Sequence, residues 1–156
     1  MENKSLRYRN TVLFVKDIKT AKTFYTDVLH QEIDFDFDKT IGFKSGVALW
    51  QISNDHPAIT SGNHQQSSGF ELYLETGNLD SDREKLMNTG IKLLHDVIEE
   101  SWGQRTFRFY DPDGHLIELG ESLPTFINRM AQTMSIEEIH QKTSVPVGDI
   151  HKLIKQ

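Results

Sequence analysis

One supersecondary order occurs twice in the first 121 residues of this 156-residue chain: strand, helix, strand, strand, strand. In the first copy, residues 8–16 alternate, with Val12 and Phe14 on one face and Leu13 and Val15 on the other, which is a strand. Asp17 ends it and can cap the next helix. Ala21, Phe24, Tyr25, Val28 and Leu29 follow the i, i+3, i+4, i+7, i+8 spacing of one helix face, so a helix is expected over Thr20–His30. Ile33–Phe37, Thr40–Lys44 and Gly46–Ser53 are short strand-like runs, and Gly42 and Gly46 suit tight connections. After a long polar loop over 54–68, the order returns. Phe70–Thr76 is a strand, Leu79–Thr89 a helix stopped by Gly90, and Ile91–Glu99, Arg105–Tyr110 and His115–Glu121 are strands. A duplicated unit of this size constrains the fold more than any single motif. It predicts an α+β chain with two four-stranded sheets, each covered on one face by its own helix.

The last two strands meet at Asp111-Pro112-Asp113-Gly114, whose residues suit a tight turn: Pro presets φ, Asp side chains bond nearby N–H groups, and Gly accepts positive φ. Beyond the turn, Ile117 and Leu119 share the apolar face, while Glu118 shares its face with Leu116 and Gly120. A carboxylate in mid-strand must face water, a partner or a ligand.

Composition bounds the function classes. With 37% hydrophobic and 26% charged residues the chain reads as a globular domain, and no apolar run has the length of a membrane span. It has no cysteine, so thiolate nucleophiles and thiolate metal sites are excluded. The polar start Met1-Glu2-Asn3-Lys4-Ser5-Leu6-Arg7 and the absence of cysteine give a cytoplasmic expectation. A formal net charge of −6 argues against a nucleic-acid partner.

Three stretches carry a family resemblance. Leu13-Phe14-Val15-Lys16-Asp17-Ile18 followed by Phe24-Tyr25-Thr26-Asp27-Val28-Leu29, Trp102-Gly103-Gln104-Arg105 with Phe107-Arg108-Phe109, and Asp111-Pro112-Asp113-Gly114-His115-Leu116-Ile117-Glu118-Leu119 resemble the vicinal oxygen chelate superfamily, which includes glyoxalases, bleomycin-resistance proteins and extradiol dioxygenases. The resemblance covers about residues 6–121. It implies two βαβββ modules, about 6–53 and 69–122, forming a half-open barrel around a cleft, in a domain of residues 1–122; the residues over 123–156 themselves read as a helical extension. It also implies a homodimer and a small-molecule ligand.

The same resemblance implies four metal-ligand positions, and these fall at Asn10, Gln51, Glu71 and Glu118. A one-residue shift would put Trp50 in the second position. None of the seven histidines (His30, His56, His64, His95, His115, His140, His151) falls on the set, which departs from the family's usual imidazoles. Strand parity supports Glu71 facing the cleft, because the alternative would turn Glu71 and Glu75 into the core. Asn, Gln and two Glu offer only oxygen, a set that suits Mg²⁺, Mn²⁺ or Ca²⁺ rather than zinc. The other reading is a metal-free pocket whose two neighbouring carboxylates repel, raising one pKa and leaving Glu118 or Glu71 as a general acid or base.

Tyr73 shares the parity of Glu71. Arg108 and Tyr110 alternate with Phe107 and Phe109 and point to the cleft side, where Arg108 either holds an anion or pairs with Glu71 or Glu118; the ion pair is the favoured reading. Trp102 offers an aromatic wall or a packing side chain. His115 is expected to cap the turn or face solvent.

In the C-terminal segment, Phe126–Met130 continues into a helix, Ser135-Ile136-Glu137-Glu138 is a capping box, and Val145-Pro146 breaks the chain before a last amphipathic turn at Ile150, Leu153 and Ile154. The cadence is that of a helix-turn-helix, yet residues 134–156 hold three acids and three lysines, too neutral to hold phosphates. Packing on the domain or on a partner subunit is expected. Three functions remain open on these residues: a glyoxalase-like lyase or isomerase acting on a small polar substrate, a non-catalytic binding or sequestering protein, and a ligand sensor acting through its C-terminal helices.

Overall fold

Asp17 closes the first strand and opens the first helix because its side chain satisfies an N–H that the helix cannot: Oδ1 accepts from Thr20 N at 2.8 Å. The same logic of strand alternation and capped helices runs through the computed structural model, which describes residues 8–56 and 70–154. The loop expected over 54–68 lies from residue 57 onward outside those residues, as does His64.

The first module runs β1 (Thr11–Phe14), α1 (Ile18–Thr23) continuing as a π turn over Phe24–Val28, β2 (Ile33–Asp36), β3 (Thr40–Phe43) and β4 (Val47–Trp50). Its sheet has the order β1-β4-β3-β2, with β1 parallel to β4 and the others antiparallel. The second module runs β5 (Leu72–Thr76), α2 (Leu79–Asn88), β6 (Lys92–Glu99), β7 (Arg105–Tyr110) and β8 (Leu116–Glu121), in the matching order β5-β8-β7-β6. The repeat expected from the sequence is therefore present strand for strand. Three helices follow: α3 (Leu123–Met130), α4 (Ile136–Thr143) and α5 (Val147–Ile154).

Alternation sorts the first sheet as expected. Leu13, Ile41 and Leu49 are buried in register, while Val12 is exposed. Tyr25 packs against Phe43 in a stacked pair with centroids 5.7 Å apart. Gly42 is not in a connection, as its residue type suggested. It lies inside β3 opposite Phe35, where a Cβ would collide with the Phe35 ring. Gly46, at φ +92, does take the turn.

Two compact units result, one formed by the first module with the turn Asp111–His115, the other by the second module with α3, α4 and α5. In the first unit, the buried Asp111 carboxylate accepts from Tyr25 Oη (2.9 Å), from His115 Nδ1 (2.7 Å) and from the backbone N–H groups of Asp113 and His115. His115 thus braces the turn. Burial opposes its charged form, but the Asp111 carboxylate outweighs that and raises its pKa.

In the second unit, Phe107, Phe109 and Ile117 are fully buried on one face of the sheet. The C-terminal helices have their own apolar cluster, Phe126, Ile127, Met130, Ile139 and Ile150. They are also held to the sheet by charge. Glu121, 3% exposed at the end of β8, accepts from Arg129 Nε (3.0 Å) and Nη2 (2.7 Å) and from Arg105 N (3.0 Å). Arg129 Nη2 also donates to Gly103 O at 2.6 Å, and a Cβ on Gly103, at φ +96, would sit 2.8 Å from Met130 Sδ. Lys142 Nζ lies 3.2 Å from Glu99 Oε1. The expected capping box is present at Ser135 and Glu138.

Removing Arg129 leaves the buried Glu121 carboxylate only the more distant Arg105, 3.8 Å away, as a counter-charge, and an undercompensated buried charge costs more than the pair is worth. Arg129→Met should lower unfolding free energy by about 3 kcal/mol in urea titrations. The double variant Arg129→Met/Glu121→Leu should lose less than the single one. A single-variant loss no larger than that of the double would show that Arg129 does not neutralise Glu121.

Candidate functional site

The antiparallel register of β7 and β8 sets Arg108 opposite Glu118, and the parallel register of β5 and β8 sets Tyr73 opposite Glu118. Glu71, two residues before Tyr73, precedes β5 with the same parity. On the other side of β7, a register shift between Leu93 and His95 brings His95 opposite Arg108. Glu100 follows the end of β6. Four side chains therefore converge on one guanidinium.

Every donor of that guanidinium is used. Nε donates to Glu71 Oε2 at 2.7 Å, Nη2 to Glu71 Oε1 at 3.3 Å and to Glu118 Oε2, and Nη1 to Glu100 Oε1 at 3.1 Å and His95 Nε2 at 3.3 Å. Those five bonds match the five N–H groups of an arginine side chain. His95 can accept because its Nδ1 lies 2.8 Å from the Asp96 carbonyl and donates there, fixing the tautomer. The ion pair expected from strand parity is thus present and wider than expected, since it includes Glu100 and His95.

One cation faces three carboxylates, and the imbalance shows in their proton affinities. Burial first, and then the hydrogen bond with Glu71, push the Glu118 carboxyl up to about 7, against the opposing pull of Arg108. Glu118 is only 5% exposed. The Arg108 hydrogen bonds hold Glu71 below its ordinary value. Below about pH 7 the proton of the pair therefore resides on Glu118 while Glu71 stays ionised.

The border of the cluster is polar and aromatic. Tyr73, 46% exposed, accepts from Gln104 Nε2 at 2.8 Å and donates to Glu75 Oε1 at 3.2 Å. Gln104 also donates to Glu121 O and accepts from Trp102 Nε1 at 3.1 Å, leaving the Trp102 ring 40% exposed. Gly120 makes this crossing possible, because a Cβ there would stand 2.8 Å from Gln104 Nε2. Tyr110 lies on the same strand face as Arg108, with Lys92 Nζ 5.8 Å from its ring centroid.

Among the residues singled out in the sequence, Glu71, Glu118, Arg108 and Tyr73 are brought together. Asn10 and Gln51 lie in the first unit. Asn10 just precedes β1, and Gln51 uses Oε1 to accept from Ile18 N at 2.8 Å, capping α1. Sequence reasoning missed His95, Glu100 and Gln104. Simple alternation could not find His95, because the β6 bulge changes its face. Gln104 could have been suspected from a buried polar residue placed between Trp102 and a strand.

A family model for the Glyoxalase-like domain matches residues 8–124. The chain belongs to that family. That match, with the curated relative below, places it in the vicinal oxygen chelate superfamily. A protein of unknown function from Agrobacterium tumefaciens str. C58 is 35% identical, with a TM-score of 0.66 over 78% of this chain and 98% of that one. A glyoxalase-related enzyme from Fulvimarina pelagi shares the fold at 19% identity, with a TM-score of 0.63 over 74% of this chain and 88% of that one. In sequence, Metallothiol transferase FosB of Staphylococcus saprophyticus is 27% identical over 106 residues, 67% of this chain and 70% of that protein.

The residues of this glyoxalase-like chain do not fit a divalent ion at Glu71 and Glu118. Both carboxylates already bind Arg108, and acceptors at hydrogen-bond distance from its nitrogens lie roughly 4 Å from the guanidinium carbon. A divalent cation needs oxygens within about 2.0–2.6 Å. Among the described residues, no group of three His, Asp or Glu side chains is gathered tightly enough to hold a metal ion.

The shifted pair makes stability depend on pH. Glu118, raised from 4.5, keeps its proton in the folded state after the unfolded chain has released it, so its contribution is full below about 4.5 and is lost as pH rises through about 7. Glu71, lowered, contributes above the ordinary carboxylate range and loses that as pH falls. Stability from the pair peaks at mildly acidic pH. Glu118→Gln should abolish the loss between pH 5 and 8, about 1–3 kcal/mol in denaturant titrations. An unchanged pH profile in that variant would contradict the assignment.

Proposed function

We propose that this glyoxalase-like protein binds a small polar molecule on the sheet face carrying Glu71, Tyr73, Arg108 and Glu118, and that Glu118 moves a proton on it in a lyase- or isomerase-type reaction. The observation that carries the reading is the buried Glu118 carboxyl, held near neutrality beside an ionised Glu71. General acid–base catalysis works best with a group whose pKa lies near the working pH. Two carboxyls pushed apart in pKa supply an acid and a base side by side. Arg108 has no donor left for an anion, so the site's spare capacity lies in carboxylate lone pairs and the Tyr73 hydroxyl. That favours a ligand that donates, through hydroxyl or amine groups. Pairing of two copies belongs to the same proposal, and light scattering measures it.

The second reading is a non-catalytic binding protein. The exposed Trp102 ring beside Gln104 favours it, since an aromatic wall with few polar anchors suffices for capture.

A thermal-shift screen of small hydroxylated and amino compounds on the intact chain, followed by turnover assays on the hits, tests both. Glu118→Gln should retain binding and lower turnover by about 10²–10⁴. Hits that bind the Glu71→Gln variant as tightly as the parent would place the ligand elsewhere. Binding without chemistry would favour the second reading.

A further inference from the structure

We infer that Arg108 is this chain's own resident cation: a tethered guanidinium that holds together, in place of a free metal ion, the donor set Glu71, Glu100, Glu118 and His95. The inference concerns what neutralises the cluster and goes beyond the proposal about its ligand. It stands on the geometry of the ring. Three carboxylates and one imidazole nitrogen, contributed from β6 and β8 and the segments just before β5 and after β6, all direct lone pairs at one side chain. No other Arg or Lys bridges them among the described ion pairs. Tyr73 and Glu75 border the ring on β5, Thr106 Oγ1 donates to Glu100 Oε1 at 3.1 Å, and Tyr110 lies one residue pair along β7.

Carboxylates that converge without a cation repel one another. A set of oxygens with one imidazole is also chemistry that divalent first-row ions accept. What separates this ring from a metal site is its diameter, which fits a planar fork rather than a bare ion. Glutamate side chains have the freedom to close that gap once the fork is gone. The arrangement therefore encodes a latent metal site, blocked by the residue at position 108.

The test uses Mn²⁺, whose free and bound forms differ in electron paramagnetic resonance. The intact chain, Arg108→Ala and Arg108→Met are titrated with it, with circular dichroism as the control for folding. The intact chain should take up no stoichiometric Mn²⁺. Arg108→Ala should bind one ion per chain at least tenfold tighter than the intact chain, and Mn²⁺ should raise the melting temperature of the variants only. Adding Glu118→Gln to Arg108→Ala should abolish the uptake. Stoichiometric uptake by the intact chain that Glu118→Gln removes would overturn the inference. So would a folded Arg108→Ala that binds no tighter than the parent. If both variants are unfolded, Mn²⁺ or guanidinium ions should restore the native circular dichroism, and failure of both would equally overturn it. None of these outcomes depends on whether the ligand screen succeeds.

Discussion

A half-buried guanidinium must be matched by acceptors, and that requirement fixes the second half of this protein. Arg108 lies on β7, yet its partners lie on or beside β5, β6 and β8. The register of the sheet, the β6 bulge and the placement of Glu71 must all be satisfied at once for its five donors to find partners. A one-residue slip of β8 would turn Glu118 to the apolar face and leave Ile117 or Leu119 facing the cation. The cluster therefore specifies the sheet's pairing as well as gathering reactive groups on one of its faces.

Two buried acids on β8 divide its labour. Glu118 faces Arg108, and Glu121, of opposite parity, faces Arg129 and the C-terminal helices. Gln104 touches both sides, donating to Glu121 O and to Tyr73 Oη. The helical extension is thus wired into the same unit as the site. A helix-turn-helix cadence here produces an apolar cluster around Ile139 and Ile150 and a charged seam to the sheet, which accounts for the segment by packing.

Most of the fold was legible because it rests on local rules. Alternation placed Leu13 and Ile117 inward, helix spacing gave α1 and α2, and Asp17, Gly90 and Ser135 marked helix ends. Boundaries moved by a few residues: the first strand was expected over 8–16 and forms over Thr11–Phe14, and the expected single helix turns into a π segment at Phe24. The site was half legible. Strand parity, together with the positions implied by the resemblance, put Glu71, Tyr73, Arg108 and Glu118 on one face. It could not supply His95, whose face depends on a bulge, nor Glu100, which follows the strand end. Gln51 comes into the set by resemblance, and its amide oxygen caps α1 in the first unit. An amide can do either, and only the neighbouring N–H decides.

The account rests on Glu71 and Glu118 sharing one proton under the control of Arg108. The most direct measurement is a carbon-13 NMR titration of the side-chain carboxyl carbons between pH 3 and 9, assigned with single Glu-to-Gln variants. Glu118 should titrate at about 7 and Glu71 below the ordinary carboxylate range. Two ordinary carboxyls titrating together near 4.5 would contradict the account.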